Sequence, residues 1–575
     1  MNRLAVIDIF CGAGGFSEGF RQQGFEIIMG IDHWEPAVKT FNHNFALNCS
    51  VKNVLDFERS VEEIEELPDT DVIIGSPPCV TFSSSNISGK ADKTSGITLT
   101  QVFLRIVAVK KWKRNSKLKA WFMENVPSSI KHLGAEYTFE ELGLGDWAAK
   151  NKIGRSKVAV KLEGNQPIIN SADYGSPQIR KRVISGEIIK RKKLIVPEQT
   201  HGQDNSNGAI PWRTLREIKG QLPSPYSDNS KKVVDPNYPW LSFNANKLTD
   251  HFYDTGLFEC EWKQSRFLKI NHPYMGKISF PENEDKPSRT ITATKIGTSR
   301  EAIIYRSEFE RNGDGAYRTP TIREAACLMG FPITYQFLGG ETTKWRLVGN
   351  AVCPSVGRAF AKQVRKELEM VEIERPILCL DPDLKNVNNL NTYSPKTFKT
   401  PPRRNKGSRF RRHPFKDGNI TITLSNYDIN KNEKRAGKWR TSVQYGNGKG
   451  FPSFNFPDGS YAKIEPLIRK MSHGEAFVEI INNGFTEKIG QRIALQEMYE
   501  IQKCTDGLLE PTELVEEVGK MIEQLVNNEE RFVQNGKIIF KNKQVVPLKQ
   551  LFALYAINKI SSIANKGGLW NGNKE

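Results

Sequence analysis

Cys79 follows Pro77 and Pro78 directly, at the exit of the β-branched stretch Asp71-Val-Ile-Ile-Gly75. The two prolines stiffen the backbone and polar Ser and Thr residues come next, so the sulfur can face a cleft and act as a nucleophile. Locally, a catalytic thiol and a structural cysteine remain equally open. A second candidate is Glu124, which ends the apolar run Lys119-Ala-Trp-Phe-Met123 and is placed to act as an acid or base. A third is the glycine-rich turn Cys11-Gly-Ala-Gly-Gly15. Its glycines let the backbone approach a ligand closely, and the helix after it offers unpaired N–H groups.

The elements that must position these groups alternate between strand and helix. Residues 4–10 read as a strand and 17–23 as a helix. The turn between them is not Gly-x-Gly-x-x-Gly, which argues against a dinucleotide oxidoreductase. Residues 25–31 form a second strand ending at Asp32, and a helix starts at His33-Trp34-Glu35-Pro36. Rossmann-like folds hold ribose hydroxyls with an acidic residue at that place, and an aromatic beside it can stack on adenine. An Asp N-cap with a core tryptophan fits the same residues equally well. Residues 51–56 read as a third strand, 58–66 as an acidic helix, 71–74 as a strand, 84–100 as a polar mobile loop, 101–112 as an amphipathic helix and 119–123 as a strand. In open parallel sheets ligands collect at the carboxyl ends of strands. Cys79, Glu124 and the glycine turn would then face one cleft.

The chain has 575 residues, 38% of them hydrophobic, and a net charge of +18. A polyanionic partner, most simply nucleic acid, explains the charge, with a merely basic soluble protein as the alternative. The eight cysteines are scattered without CxxC or metal-ligand spacing. Disulfides and a metal site are not expected, and a reducing cytoplasm fits. No apolar run reaches the roughly 20 residues of a membrane span. The N-terminus does not read as a signal peptide.

Motifs in order from residue 8 to residue 352 are specific. They are Asp8-Ile-Phe-Cys-Gly-Ala-Gly-Gly-Phe16, Gly75-Ser-Pro-Pro-Cys-Val-Thr-Phe-Ser83, Glu124-Asn-Val126, Gln178-Ile-Arg-Lys-Arg182, Arg289-Thr-Ile291, Thr321-Ile-Arg-Glu-Ala325 with Gly330-Phe-Pro332, and Gly349-Asn-Ala-Val352. The chain thereby resembles the cytosine-C5 DNA methyltransferases, although Val80 stands where that family usually has Gln. The resemblance implies an α/β fold with a Rossmann-like S-adenosylmethionine-dependent methyltransferase sheet. It also implies S-adenosylmethionine as cofactor, lying against Phe10, Gly12, Gly14, Gly15 and Pro78. Asp32 would bind its ribose, His33 or Trp34 would cover its adenine, and Asn350 and Val352 would close the pocket. Asn53 stands where the family usually has an Asp for the adenine edge, with Asp56 nearby. Cys79 would add to cytosine C6, Glu124 would bond N3, and Arg180 and Arg182 would hold the base carbonyl, the carboxyl and nearby phosphate. A base inside a duplex must be flipped out to be reached. Residues 84–100 would be the lid, with Ser83, Ser85, Lys90 and Gln178 toward nucleic acid.

Residues 1–189 and 285–375 are expected to form the catalytic domain, with a strand at 288–293 and helices at 321–328 and 354–370, the last beside the first strand. Residues 190–284 lose the alternation and occupy the place of the family's target-recognition region. Residues 376–415 read as a basic linker, and 416–575 as a small α+β accessory domain. Pro457-Asp458 raises a fused nuclease, but no Glu-x-Lys follows at a useful distance. The expected partner is double-stranded DNA, within a restriction–modification or other defence system and with a partner nuclease, and a monomer is expected. A tRNA methyltransferase of the same fold and a non-catalytic DNA-binding relative are the alternatives.

Overall fold

The protein is described by a computed structural model over residues 3–78, 94–203, 208–226, 231–270, 277–309, 314–391, 397–398, 412–426, 438–446, 453–501, 505–527, 529–536, 539–541 and 543–566. Strand and helix alternate from the start. The order is β1 (Ala5–Ile9), α1 (Gly15–Gln22), β2 (Glu26–Ile31), α2 (Glu35–Phe45), short α3 (Asp56–Arg59) and α4 (Glu62–Glu66), β3 (Val72–Gly75), α5 (Thr94–Trp112) and β4 (Ala120–Asn125). A hairpin of β5 (Glu136–Thr138) and β6 (Val158–Lys161) encloses α6 (Gly145–Lys150), and β7 (Ile168–Asn170) and β8 (Lys181–Ile188) follow.

One six-stranded sheet runs β2-β1-β3-β4-β8-β7. The first four strands are parallel, and β8 and β7 continue antiparallel. Its two faces follow from alternation along each strand. Val6, Val72, Ile74, Ala120 and Phe122 enter one apolar layer with Phe16 and Phe20 of α1. Ile7, Ile9, Ile73, Trp121 and Met123 enter the other, with Phe103, Ile106 and Val107 of α5. Burial on both faces explains why these strands are nearly continuous apolar runs. The order reverses at β1, between β2 and β3, so the carboxyl end of β1 opens on the crevice where such sheets take ligands. This is the Rossmann-like α/β sheet expected from the sequence.

Local expectations failed where backbone partners were missing. Residues 51–56 form no strand; Asn53 Oδ1 accepts from Leu55 N–H at 3.1 Å and the chain turns into α3. Residues 288–293 form no named strand, only a bridge from Ser288 to Gln178. Residues 94–100, read as part of a loop, already belong to α5.

The region 190–284 contributes α7 (Leu215–Gln221) and α8 (Glu259–Ile270) among short strand pairs. Leu215, Ile218, Phe243, Leu248 and Phe252 join the same apolar layer as α1, so the region shares the sheet's core. Beyond it lie α9 (Ile322–Met329), α10 (Glu341–Asn350) and α11 (Pro354–Glu367). Thr321 and Glu324 form a capping box at the start of α9. The fully buried Arg318 grips Glu324 with both terminal nitrogens at 2.7 Å and Glu308 with Nε at 2.6 Å. Helix α11 packs on α1, and its Phe360 and Val364 share an apolar layer with Val6 of β1. A Cβ on Gly19 would overlap the backbone of Pro354 and Arg358, so the contact requires glycine there.

The chain divides into two compact units, Met1–Lys269 with Ser279–Thr397, and Ile270–Ile278 with Phe398–Glu575. Residues 377–391, read from sequence within a linker, pack on the first unit. Ile377 N–H donates to Gln22 O at 3.0 Å, Asp250 N–H to Asn389 Oδ1 at 3.0 Å, and His251 N–H to Asn391 Oδ1 at 2.9 Å. In the second unit four antiparallel strands, Arg412–Asp417, Ile420–Ser425, Arg440–Tyr445 and Ser453–Phe456, cover the long helix Leu548–Lys566. Ile422, Leu424 and Val443 share its core with Phe552, Tyr555 and Ile557. Asp458 is held by Lys438 at 3.0 Å and Asn565 at 3.2 Å. Among the described residues no His, Cys, Asp and Glu cluster could hold a metal, and no helix is long and apolar enough to cross a membrane.

Two buried carboxyls respond to pH in opposite senses. Burial raises the Glu324 carboxyl, but Arg318 outweighs it and holds the group down to about 2. Its stabilisation is present above the ordinary value of 4.5 and is lost as pH falls toward about 2. Glu324→Gln should cost ~3–5 kcal/mol in urea unfolding at neutral pH, because it breaks a buried ion pair. A change below ~1 kcal/mol would refute that role. Burial pushes the Asp8 carboxyl up to about 8, against a 2.6 Å hydrogen bond from Ser17 and with Asp32 adding repulsion. Its stabilisation is therefore full below the ordinary value of 3.8 and is lost as pH rises through about 8. Asp8→Asn keeps an acceptor for Ser17 but cannot ionise. Its unfolding midpoint should fall less than that of the unaltered chain between about pH 5 and pH 8; parallel curves would overturn the assignment.

Candidate functional site

The carboxyl ends of β1, β2, β3 and β4 bring four segments together. After β1 the backbone makes a tight loop, with Phe10 at φ 62°, Gly12 at φ 53° and Gly14 at φ 85°. Positive φ is inexpensive for glycine and strained for Phe10. The loop is braced from three sides. Cys11 N–H donates to Ile31 O at 3.0 Å, Ser76 Oγ to Phe10 O at 3.1 Å, and Tyr335 hydroxyl to Ala13 O at 2.5 Å. Among the described residues nothing lies within 4 Å of where a Cβ on Gly12 would project, so they leave open space there. Gly15 begins α1, and a Cβ on it would overlap Val352 O, which brings 350–352 to the glycine loop.

Asp32, at the end of β2, is the polar centre of this corner. Its Oδ2 accepts from Gly12 N–H at 3.0 Å and its Oδ1 from Trp34 N–H at 2.8 Å. A carboxylate has about four acceptor sites, so two backbone donors fix it and leave capacity for hydroxyls. His33 is mostly exposed, with Nδ1 3.5 Å from Asp32 Oδ1. Trp34 is half-buried, with its ring against the apolar layer, and is the better aromatic cover of the two. Asn53 is exposed, on a segment tied to this corner by Lys52 N–H donating to Asp32 O at 3.0 Å. Asn350 is exposed at the end of α10, while Val352 is buried. This donor and acceptor set, the open space at Gly12 and the neighbouring indole fit a nucleoside with free ribose hydroxyls and an adenine ring.

Across β3, the last described residue before the gap is Pro78, partly buried. Cys79, Ser83, Ser85 and Lys90 lie outside the described residues, as does the expected lid up to residue 93. At the end of β4, Glu124 is 8% exposed. Arg182 Nε approaches Glu124 Oε1 at 3.0 Å as an ion pair, yet Oε1 has no hydrogen-bond partner among the described residues. The Nδ2 of neighbouring Asn125 is likewise buried without one, while its Oδ1 accepts from Val126 N–H at 2.8 Å. Antiparallel pairing of β4 with β8 sets Glu124 opposite Ile184 and so brings Arg182 alongside.

The two arginines have different surroundings. Arg180 is buried and donates to Ile291 O at 3.1 Å and Gly349 O at 3.2 Å, tying three motif regions together. Gln178, expected toward nucleic acid, is corrected: it is 0% exposed. Its amide donates to Leu328 O at 3.4 Å and Met329 Sδ at 3.1 Å and accepts from Ile291 N–H at 3.2 Å. It braces the core, because a buried amide must find partners. Sequence reading missed Tyr335 and Asn125. Asn125 stood within a quoted motif, but Tyr335 meets Ala13 across 322 positions and no local pattern marks it.

The sequence profile of the C-5 cytosine-specific DNA methylases matches residues 4–366. The type II methyltransferase M.AgeI of Thalassovita gelatinovora is 25% identical over 455 residues, covering 63% of this chain and 99% of that protein. The type II methyltransferase M1.HphI of Haemophilus parahaemolyticus is 28% identical over 382 residues, covering 63% and 87%. The solved Entamoeba histolytica methyltransferase EhMeth aligns at TM-score 0.41 and 17% identity, covering 64% of this chain and 99% of that one, and adds no weight. With the profile spanning more than half of the chain, and its motifs at the carboxyl edge just described, the protein belongs to the C-5 cytosine-specific DNA methylases.

Proposed function

We propose that the chain methylates C5 of a cytosine within a specific sequence of double-stranded DNA, using S-adenosylmethionine, as the modification arm of a restriction–modification or related defence system. The observation that carries this reading is one sheet edge holding both a nucleoside-shaped corner at Asp32 and a buried carboxyl, Glu124, with hydrogen-bonding capacity left unused among the described residues. The type II names of the relatives support the defence context. Within the chain, we assign residues 1–189 and 285–375 to catalysis, 190–284 to target recognition, the basic run in 376–415 to phosphate contact, and 416–575 to an accessory role.

Cytosine C5 is a poor nucleophile. Cys79, next in the chain after Pro78, adds through its sulfur to C6 and makes C5 enamine-like. Glu124 meets the ring at N3, and proton sharing there offsets the charge that develops on addition. Arg182 holds the Glu124 side chain in place and can contact the base carbonyl or a nearby phosphate. Phe10, Gly12, Gly14, Gly15, Asp32, Trp34, Asn350 and Val352 bind and orient the cofactor, whose sulfonium supplies an electrophilic methyl group when bound. Loss of the C5 proton then lets the thiol leave. Burial of the Glu124 corner keeps water from competing for these bonds.

Incubating the full chain with labelled cofactor and either duplex DNA or tRNA tests the reaction. Label should enter DNA at cytosine, and bisulfite sequencing of DNA from expressing cells should show one recurrent target sequence. Label confined to tRNA, or none in either, would refute the proposal. Cys79→Ser should abolish transfer while still binding cofactor, and Glu124→Gln should slow transfer by roughly 10²–10⁴. Turnover near the unaltered rate in either variant would remove that residue from the chemistry.

A further inference from the structure

Arg346 takes no part in the chemistry above, yet its guanidinium carbon lies 4.4 Å from the centre of the Trp34 ring. Trp34 is pinned at its backbone by Asp32 and packs against the core, but it is only partly buried. A partly buried indole has fewer packing contacts to select one of its rotamers, and a further contact narrows the choice. We propose that Arg346 is a cofactor-positioning residue: it stacks on one face of Trp34 and thereby presents the other face to the adenine of S-adenosylmethionine. This rests on the reading that Asp32 and Trp34 receive the nucleoside.

The backbone that carries Arg346 is moored independently of that contact. On the same helix α10, Lys344 Nζ donates to Asp250 Oδ1 at 2.7 Å with both side chains fully buried. Trp345 Nε1 donates to Thr292 O at 3.0 Å, Glu341 pairs with Lys295 at 2.6 Å, and Gly349 O accepts from Arg180. Arg346 itself is exposed, so its side chain is free of core packing duties. A guanidinium suits the task better than an ammonium. It is planar, weakly hydrated and lies flat on an aromatic face, where a lysine would remain a solvated point charge. The helix also touches the recognition region through Asp250, so the clamp on Trp34 is carried by an element common to both parts of the protein.

The test is titration calorimetry of the full-length protein with S-adenosylmethionine and with S-adenosylhomocysteine. Arg346→Ala should weaken both on the order of two- to fivefold, the size of an exposed cation–π contact. Arg346→Lys should recover only part of the loss, and the kinetic change should fall on KM for the cofactor more than on kcat. In a Trp34→Ala background, Arg346→Ala should have no further effect. Equal affinity of Arg346→Ala and the unaltered chain, full rescue by lysine, or additive losses in the double variant would overturn the proposal. If the unaltered chain binds neither ligand, the cofactor reading fails and this inference falls with it; if it binds and the variants match it, only this inference fails.

Discussion

Everything at the candidate site depends on the close approach of α1 and α11. Glycines at 15 and 19 on α1 meet backbone from residues 352–358, and any side chain there would push the two helices apart. The contact closes the catalytic unit by bringing its last helix against its first. It also places Val352 over the glycine loop and Gly349 within reach of Arg180. Helices this close gain dispersion along their whole length, because interiors are packed as densely as organic crystals.

The recognition region is built into that same core. Leu215, Phe243 and Phe252 lie in one apolar layer with Phe16 and Phe20, and Tyr238 hydroxyl donates to Gly330 O at 3.1 Å. Buried charged groups reinforce the connection. Arg323 reaches Thr249 and Tyr335 together, and Lys344 pairs with Asp250. Such groups are costly to bury and tolerate few alternative partners, so they specify one arrangement of the region relative to the sheet. Residues 377–391 add a strap over the same surface, with Asn389 and Asn391 accepting from the backbone of 250–252.

Local patterns were legible where the chain supplies its own partners. The nearly continuous apolar runs of β1, β3 and β4, the prolines after β3 and the Thr321–Glu324 cap are each written in a few neighbouring residues. The segments 51–56 and 288–293 have strand-like residues but no neighbouring strand to complete a ladder. Asn53 therefore turns the first, and Gln178 holds the second by its side chain. Strand propensity expresses the fit to a pleated neighbour, so it misleads where no neighbour exists.

By itself the sequence determined the family, the order of the motifs and the chemistry open to a thiol, a carboxyl and a glycine loop, since these depend on residue type and local turns. Tertiary structure decided which of the motif residues face the cleft. It set Arg182 beside Glu124, buried Gln178 as a core brace, brought Tyr335 to Ala13 and laid Arg346 over Trp34. Those contacts join residues far apart in the chain, and only the packing of both sheet faces brings them within bonding distance.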